Sequence, residues 1–568
     1  MRVSSRGSLF VLFGLLGAPS LLAPRAAASD GGIQSGAAEV GAPLLEGMGS
    51  HRRPITTRVP AAQRYFDQGL TLAYGFNHAE AERSFLAAAR LDPSCAMCSW
   101  GAALVLGPNI NAAMKDADVP RAYAHLERAL ALAPGAAPRE QALIQALAKR
   151  YTKEPVADRA PLDRAYADAM GEVARRFPDD VDILALHAEA LMDLSPWKYW
   201  EGGAPRANTQ EIIGTLERAM RLDPNHPGAN HYYIHVMEAS TTPERALDAA
   251  NRLAHLVPGA GHLVHMPGHI YIRVGMYHEA ALANERAILA DNRYARHADP
   301  ANFYLRMYRM HNPHFLWFAT TLEGRSADAL RAARLLVAMI GEGSASGWHG
   351  GHGGGGEVDV MTEHFLATPL YAMVRFGRWR DILREAAPPL DRPYSRGVYH
   401  YASAIAHSRL GDEAAALGHL ANLGKYADLH ALAESTVSGV NSPKAVLSVA
   451  YRVASGELAA DRGDLEGAIR QLEMAVKLED GLRYMEPADW HHPTRQILGA
   501  ILLRAGKAAE AERVYREDLA NLPENGYSLF GLAQALEGQG KAIEAAEVRR
   551  RFEVAFARAD IRLEASRF

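Results

Sequence analysis

The sequence predicts an all-α protein, a superhelix built from helix–turn–helix repeats. Apolar residues recur with helical spacing over most of the 568 residues, and no stretch shows a strand pattern of comparable strength. Gly, Ala and Pro recur in a fixed frame, in which Pro224 and Pro258 stand 34 residues apart. Because 48% of the residues are hydrophobic, the chain is expected to fold rather than to be disordered.

The first 28 residues have the layout of a secretory signal peptide. Arg2 and Arg6 precede an apolar run, and small residues follow at 26–28. A membrane anchor is the alternative, but the run is short for a span and is interrupted by Gly and Pro. We therefore expect an exported protein, periplasmic or extracellular, with no membrane span once residues 1–28 are removed. Residues 29–60 are rich in Gly, Ala and Pro and are expected to form a flexible leader.

Two helical arrays are predicted after the leader, at 61–340 and 358–568. Small residues let paired helices approach closely, large residues fill the space between them, and Pro ends the second helix. The first repeat shows this order in Tyr65, Gly69, Ala81, Phe85, Ala88 and Pro93. Residues 341–357 are too rich in Gly to be helical, so we expect a flexible connection there or a flap that carries Trp348, His349 and His352 into the groove.

This order of small residues, large residues and Pro resembles that of the tetratricopeptide repeat family over most of the chain after residue 61. The resemblance implies a TPR-type α-solenoid whose concave groove is lined by positions 2, 5, 9, 12 and 13 of each first helix. Five motifs are shared with a narrower group: Cys95-Ala-Met-Cys98, Gly107-Pro-Asn109-Ile-Asn111, His226 to His235, His262 to His269, and His311-Asn312-Pro-His314. By these motifs the chain also resembles a group of exported bacterial tetratricopeptide proteins, which supports fold and export but implies no particular reaction.

Seven histidines fall on groove positions of three repeats, which start at 227, at 261 and near 310. They are His231, His235, His262, His265, His269, His311 and His314. Two histidines four residues apart on a helix can hold one transition metal, because their rings converge on one face. We therefore predict a metal site, with copper favoured and zinc or iron as alternatives. A metalloprotease motif is disfavoured, because Tyr232 stands where its catalytic Glu would be.

The only two cysteines, Cys95 and Cys98, also fall on groove positions. Three roles are open for them: soft metal ligands, a redox-active dithiol, or a structural disulfide in an oxidising compartment. Covalent haem attachment is excluded, because Ser99 stands at the position of the required histidine.

Other groove and loop residues are candidates for supporting roles. Glu238 is predicted as a ligand, a partner of a ligand or a base, and Arg273 as a group that orients a substrate or an anion. Substrate contacts are predicted for Asn109, Asn111, Trp197, Trp200 and Asn312.

The sequence thus favours a metal-dependent, copper-favoured oxidoreductase that acts on a small molecule or peptide held in the groove. A protein–protein scaffold is the alternative, because that is the usual work of the fold. Metal storage or delivery without catalysis is a third possibility. The net charge of −4 provides no basic field for nucleic acid.

Overall fold

The computed structural model describes residues 41–299, 302–345, 360–437 and 439–568, and the regular secondary structure within them is helical apart from one short hairpin and two isolated bridges. The predicted signal peptide lies outside the described residues, as does most of the predicted Gly-rich connection. The first-half helices are α1 (Pro60–Tyr74), α2 (His78–Leu91), α3 (Ala96–Leu104), α4 (Val119–Leu132), α5 (Pro138–Leu147), α6 (Ala160–Arg176), α7 (Val181–Met192), α8 (Thr209–Leu222), α9 (Pro227–Met237), α10 (Leu247–Leu256), α11 (Gly261–His265), α12 (Pro267–Arg273) and α13 (Tyr277–Tyr294).

The second half continues the array. Its helices are α14 (Phe303–Leu322), α15 (Ser326–Ala345), α16 (Val360–Arg375), α17 (Trp379–Ile382), α18 (Pro393–Arg409), α19 (Glu413–Ala427), α20 (Ala431–Glu434), α21 (Pro443–Asp461), α22 (Leu465–Asp480), α23 (Thr494–Arg504), α24 (Ala508–Asn521), α25 (Gly526–Gly538) and α26 (Ala542–Ala555). A two-residue hairpin, β1 (Trp200–Glu201) with β2 (Ala204–Pro205), interrupts the helices. No described helix has the length and apolar character that a membrane crossing needs.

Helices that follow one another pack as pairs, and the pairs stack, which confirms the predicted all-α repeat array. Close approach depends on glycine where helices meet. A Cβ at Gly69 or Gly101 would come within 3 Å of the Phe85 ring, which fills the space between α1, α2 and α3. These are the small and large positions from which the repeat frame was predicted.

Two predicted boundaries differ from the structure. The helix that carries His311 begins at Phe303, seven residues before the predicted repeat start, and α15 runs to Ala345, into the predicted Gly-rich connection. Seven residues make about two helical turns. A helix that starts seven residues earlier therefore still presents His311 on the face predicted to line the groove.

The described part of the leader, residues 41–59, is held against the array rather than loosely attached. Arg53 is buried and donates to two aspartates. One is Asp180 (2.8 Å), just before α7, and the other is Asp182 (3.0 Å), within α7. His51 Nε2 also lies 3.0 Å from an Asp182 oxygen. These contacts join the leader to a helix more than a hundred residues later in the sequence.

The superhelix curls so that distant repeats touch. The Tyr277 hydroxyl donates to the Pro523 carbonyl (2.7 Å), and the Tyr527 hydroxyl donates to the Thr321 carbonyl (3.2 Å). Asp560 accepts from the backbone N–H of Ser326 (2.7 Å) at the start of α15. Segments of the second half therefore contact the ends of α13, α14 and α15.

Candidate metal centre

Six of the seven predicted histidines meet in two groups of three. The first triad is His231, His235 and His262, and the second triad is His265, His269 and His311; in each, the three candidate ligand atoms lie within 4.8 Å of one another. The helices α9, α11, α12 and α14 supply them. The arrangement follows from packing, since each triad takes two histidines from one repeat and the third from the next.

The two triads are neighbours. The ring centroids of His262 and His265 are 5.9 Å apart, and those of His235 and His269 are 6.1 Å apart. Within the first triad, His231 and His262 are 4.9 Å apart. Because spacings between and within triads are so similar, the six imidazoles form one continuous cluster.

Hydrogen bonds at Nδ1 fix which nitrogen faces the centre. His231 Nδ1 donates to the backbone oxygen of Tyr74 (2.6 Å), a group that can only accept. His265 Nδ1 donates to Asn284 Oδ1 (2.7 Å), while the amide nitrogen of Asn284 donates to the Ala280 carbonyl (2.8 Å). In a neutral ring whose Nδ1 carries the proton, Nε2 is a lone-pair nitrogen free to bind metal.

Glu238 accepts the Nδ1 hydrogen bond of one histidine in each triad. Its Oε1 accepts from His235 Nδ1 (3.1 Å), and its Oε2 accepts from His269 Nδ1 in a short contact. Glu486, from the segment before α23, lies 3.5 Å from the same His269 nitrogen and accepts from the Tyr484 hydroxyl. The carboxylate predicted as ligand, partner or base thus lies behind the histidines, where it orients them.

The inward-facing nitrogens have the spacing of metal ligands. Nε2 of His265 lies 2.8 Å from Nε2 of His269, and Nε2 of His231 lies 3.1 Å from Nε2 of His262. Two nitrogens bound to one ion at about 2.0–2.1 Å stand roughly 3 Å apart. His235 Nε2 is buried without a hydrogen-bond partner. The close approach of these nitrogens and the unpartnered nitrogen of His235 fit a cation that these residues would surround.

Burial keeps most of these rings neutral. Burial, with repulsion from neighbouring rings, holds the pKa well below its ordinary value for His231, His262, His265 and His311. Burial also lowers the pKa of His235, against the opposing influence of Glu238. For His269, burial is outweighed by the charge and hydrogen bond of Glu238, and the pKa is raised. Neutral imidazole is the form that binds metals.

Aromatic side chains surround the cluster. Phe76 lies 4.8 Å from the His231 ring, and Phe315 lies 4.9 Å from the His269 ring, so each triad has its own phenyl neighbour. Five of the six histidines are fully buried, and His311 is half-buried. Apolar walls and limited solvent access strengthen electrostatic effects within the centre.

A hydrogen-bonded chain of half-buried and buried residues lies beside the first triad. Trp197 packs edge-on against His235 (5.2 Å) and donates its indole N–H to Asn111 Oδ1 (3.0 Å). The Asn111 amide donates to the Tyr308 hydroxyl (2.9 Å), and Tyr308 packs on His262 (4.5 Å). Two predicted substrate residues, Asn111 and Trp197, are therefore at the centre.

Other predicted residues lie elsewhere. His314 packs against Trp317 (5.2 Å) and His364 (5.4 Å) instead of joining a triad, because α14 turns it toward the next helix pair. The amide of Asn312 is buried and donates to Asp291 (2.6 Å), a structural contact.

Three more predicted residues shape the neighbouring backbone. Trp200 donates to the Val236 carbonyl (2.6 Å) and so braces the helix of His231 and His235. Asn109 accepts from the backbone N–H of Asn111 (2.8 Å), which fixes that loop. Arg273 donates to the Ser240 carbonyl (3.1 Å), and its guanidinium lies over the Tyr484 ring.

Cys95 and Cys98 form a disulfide at the start of α3. Oxidised sulfurs are not thiolates and do not bind metal as the predicted ligands would, whereas the bond is compatible with a structural disulfide and with the oxidised form of a redox-active pair. Neither cysteine belongs to a potential metal-binding group among the described residues.

A third group, His51, Asp182 and His226, has ligand spacing but the wrong hydrogen bonds. His226 Nδ1 accepts from the Ala229 N–H (3.0 Å), so its Nε2 carries a proton and donates to Asp182 (3.1 Å). Arg53 already contributes a positive charge to the same carboxylate. This group satisfies a buried carboxylate and is not suited to a cation.

No sequence motif indicated that Phe76, Asn284 and Tyr308 are parts of the centre, whereas the segment from Glu486 to His492 was a candidate to complete the pocket. Phe315, one turn after His311, had a usable signal in its helical spacing. Glu486 and Asn284 reach the histidines through tertiary packing, for which no local pattern exists.

No family model matches the sequence, and no curated protein matches it. Similar solved structures include the human IFIT1 dimer with m7Gppp-AAAA, with 12% identity, 88% coverage of this chain, 91% of that one and a TM-score of 0.30. The APC/C hetero-tetramer Cut9-Hcn1 is also similar, with 12% identity, coverages of 89% and 78%, and a TM-score of 0.29.

Proposed function

We propose that the protein binds two transition-metal ions, one at each histidine triad, and works as an exported metal-dependent oxidoreductase. One observation carries the proposal: two triads of ligand atoms, each within 4.8 Å, lie side by side and share Glu238 as an outer partner. A buried ring nitrogen without a hydrogen-bond partner, such as His235 Nε2, is costly, and a bound cation would remove that cost. The disulfide supports an oxidising compartment, since such bonds persist there.

Copper is the metal that this ligand set favours. The two triads offer six imidazoles, and the carboxylates of Glu238 and Glu486 lie at the outer Nδ1 of His269. Imidazoles suit borderline-soft ions, and divalent copper binds such ligands most tightly in its series. A copper pair held by the triads would supply two-electron chemistry, in which an organic substrate would lose two electrons and two protons and O2 would take them up as H2O2. Glu238 orients one ring of each triad, and Trp197, Asn111 and Tyr308 are placed to position a small substrate at the first triad.

Metal analysis of the purified protein tests the proposal. The full chain is reconstituted separately with copper, zinc and iron and freed of excess metal. The wild type should retain two ions, while His235→Ala and His269→Ala, one in each triad, should each lose at least one. His400→Ala, outside the centre, should retain both. A wild type without stoichiometric metal overturns the proposal and leaves the protein–protein scaffold.

Oxygen uptake separates an enzyme from a storage or delivery protein. The copper-loaded wild type should consume O2 with an oxidisable small molecule, and the two histidine variants should not. If metal binds and no substrate supports O2 uptake, storage or delivery is favoured.

A further inference from the structure

A second interior cluster, in the C-terminal half, has polar atoms with no partner. The unpartnered atoms are nitrogens or hydroxyls of Arg375, Tyr401, Trp490, His491 and His492, all buried. The rings of Trp490 and Tyr401 are 5.3 Å apart, and those of Trp490 and His491 are 5.0 Å apart. Buried polar groups nearly always have partners, so this concentration of free donors is a candidate site for a polar ligand.

Arg375 gives the cluster its charge. It is 1% exposed; Nη2 donates to Gln496 (2.6 Å) and the guanidinium stacks on Tyr527, while Nε and Nη1 have no partner. Tyr371, one turn earlier on α16, stacks on His491 at 4.0 Å, which places Arg375 on the same side of the helix. The charge of Arg375 also helps burial to lower the pKa of His491.

No carboxylate binds Arg375 directly among the described residues. The charge of Asp518 acts on Arg375, but its oxygens accept from Gln496, Asn525 and Ser528 rather than from the guanidinium. Glu457 is paired with Arg409 (2.6 Å). A buried guanidinium without a directly bound anion is unfavourable, so the two free nitrogens of Arg375 favour an anionic acceptor.

The donors specify the ligand. Indole and guanidinium nitrogens can only donate, so the ligand must accept hydrogen bonds. A metal ion is disfavoured by the cation of Arg375, and His491 and His492 belong to no potential metal-binding group among the described residues. The rings of Tyr371, Tyr401 and Trp490 provide apolar aromatic surface beside these donors. We propose that these residues form a buried binding site for a small organic carboxylate.

Calorimetric titration with benzoate, acetate and inorganic phosphate, at constant ionic strength, tests the site in the full chain. Benzoate should bind saturably, acetate more weakly, and phosphate weakest. Arg375→Met should weaken benzoate binding at least tenfold, while Arg409→Met, whose cation has carboxylate partners, should change it less than twofold. No saturable carboxylate binding, or binding of phosphate alone, overturns the proposal.

Tyr401→Phe covers the case in which Arg375→Met does not fold. Removing an unpartnered buried hydroxyl should leave the empty protein at least as stable and weaken benzoate binding several-fold. Unchanged benzoate affinity in this variant contradicts the proposal. Benzoate binding should persist in His235→Ala/His269→Ala, so a failure of the metal proposal is distinguishable from a failure of this one.

Discussion

At the scale of the residue, the centre depends on which nitrogen of each imidazole carries the proton. Tyr74 and Asn284 each take the Nδ1 proton of one ring, and Glu238 takes those of two rings. Such outer partners orient ligands and raise their basicity. Glu238 is singular because it acts on both triads.

Glu238→Gln should lower metal affinity about 10–100-fold, the usual cost of losing such a partner. An amide oxygen can accept from His235 or from His269, and its NH2 group opposes the other Nδ1–H. Competition with a chelator of known affinity measures the change. Glu486→Gln is the matched control, with a smaller loss because its contact with His269 is longer. Wild-type affinity in Glu238→Gln would contradict the assigned role.

Asp182 is a buried charge outside the centre, and its effect depends on pH. Burial alone would raise its pKa, but hydrogen bonds from His226 and His51 and the charge of Arg53 outweigh burial and hold the pKa well below its ordinary value. Its contribution to stability is therefore present above the unfolded pKa of about 3.9 and is lost as the pH falls through the folded value.

Asp182→Asn should lower the free energy of unfolding by about 3–5 kcal/mol at pH 7, because Arg53 loses a buried partner. The difference from wild type should shrink below about pH 4. Urea unfolding at several pH values measures it. Asp480→Asn, in an exposed pair with Arg495, should cost less than about 1 kcal/mol. A difference that stays constant from pH 7 to pH 3 would refute the assignment.

At the scale of the element, α9 carries His231 and His235 to the centre only because it approaches α1 closely. A Cβ on Gly228 would stand 2.5 Å from the Tyr74 ring. Tyr74 in turn accepts from His231 through its carbonyl and donates to Asp182 through its hydroxyl. The lack of a side chain at Gly228 thus lets α9 pack against Tyr74, which contacts both His231 and Asp182.

Gly228→Ala should destabilise the protein by about 1–3 kcal/mol, the usual cost of overpacking, and should weaken metal binding at the first triad. Gly214→Ala in α8 is the control: a Cβ there meets nothing within 4 Å, and helix propensity should stabilise the fold by up to about 1 kcal/mol. Thermal unfolding and chelator competition give the two readouts. Equal effects of the two substitutions would contradict the packing explanation.

At the scale of the whole molecule, the superhelix closes on its own groove. Contacts such as Tyr277 with Pro523 and Glu486 with His269 join repeats more than two hundred residues apart. A groove that is open in the simplest solenoid becomes an interior, which explains why five of six ligand candidates are buried.

Metal should therefore stabilise the whole chain. Ligand at one hundred times its Kd adds about 2.7 kcal/mol to the folded state. Adding copper to metal-free protein should raise Tm, and His235→Ala/His269→Ala should show no saturable rise. Scanning calorimetry measures the shift. An equal rise in this double variant would place the stabilising metal outside the triads.

Local spacing in the sequence determined the helices, the repeat frame and the face of each histidine, because three- and four-residue intervals fix directions around a helix axis. It did not distinguish His311, which joins a triad, from His314, which faces Trp317. The tertiary structure decided that difference. It also decided the division into two triads and the positions of Glu486 and Asn284 beside the histidines. Their physical cause is the rotation and approach of helices distant in sequence, which depend on packing between repeats rather than on any local pattern.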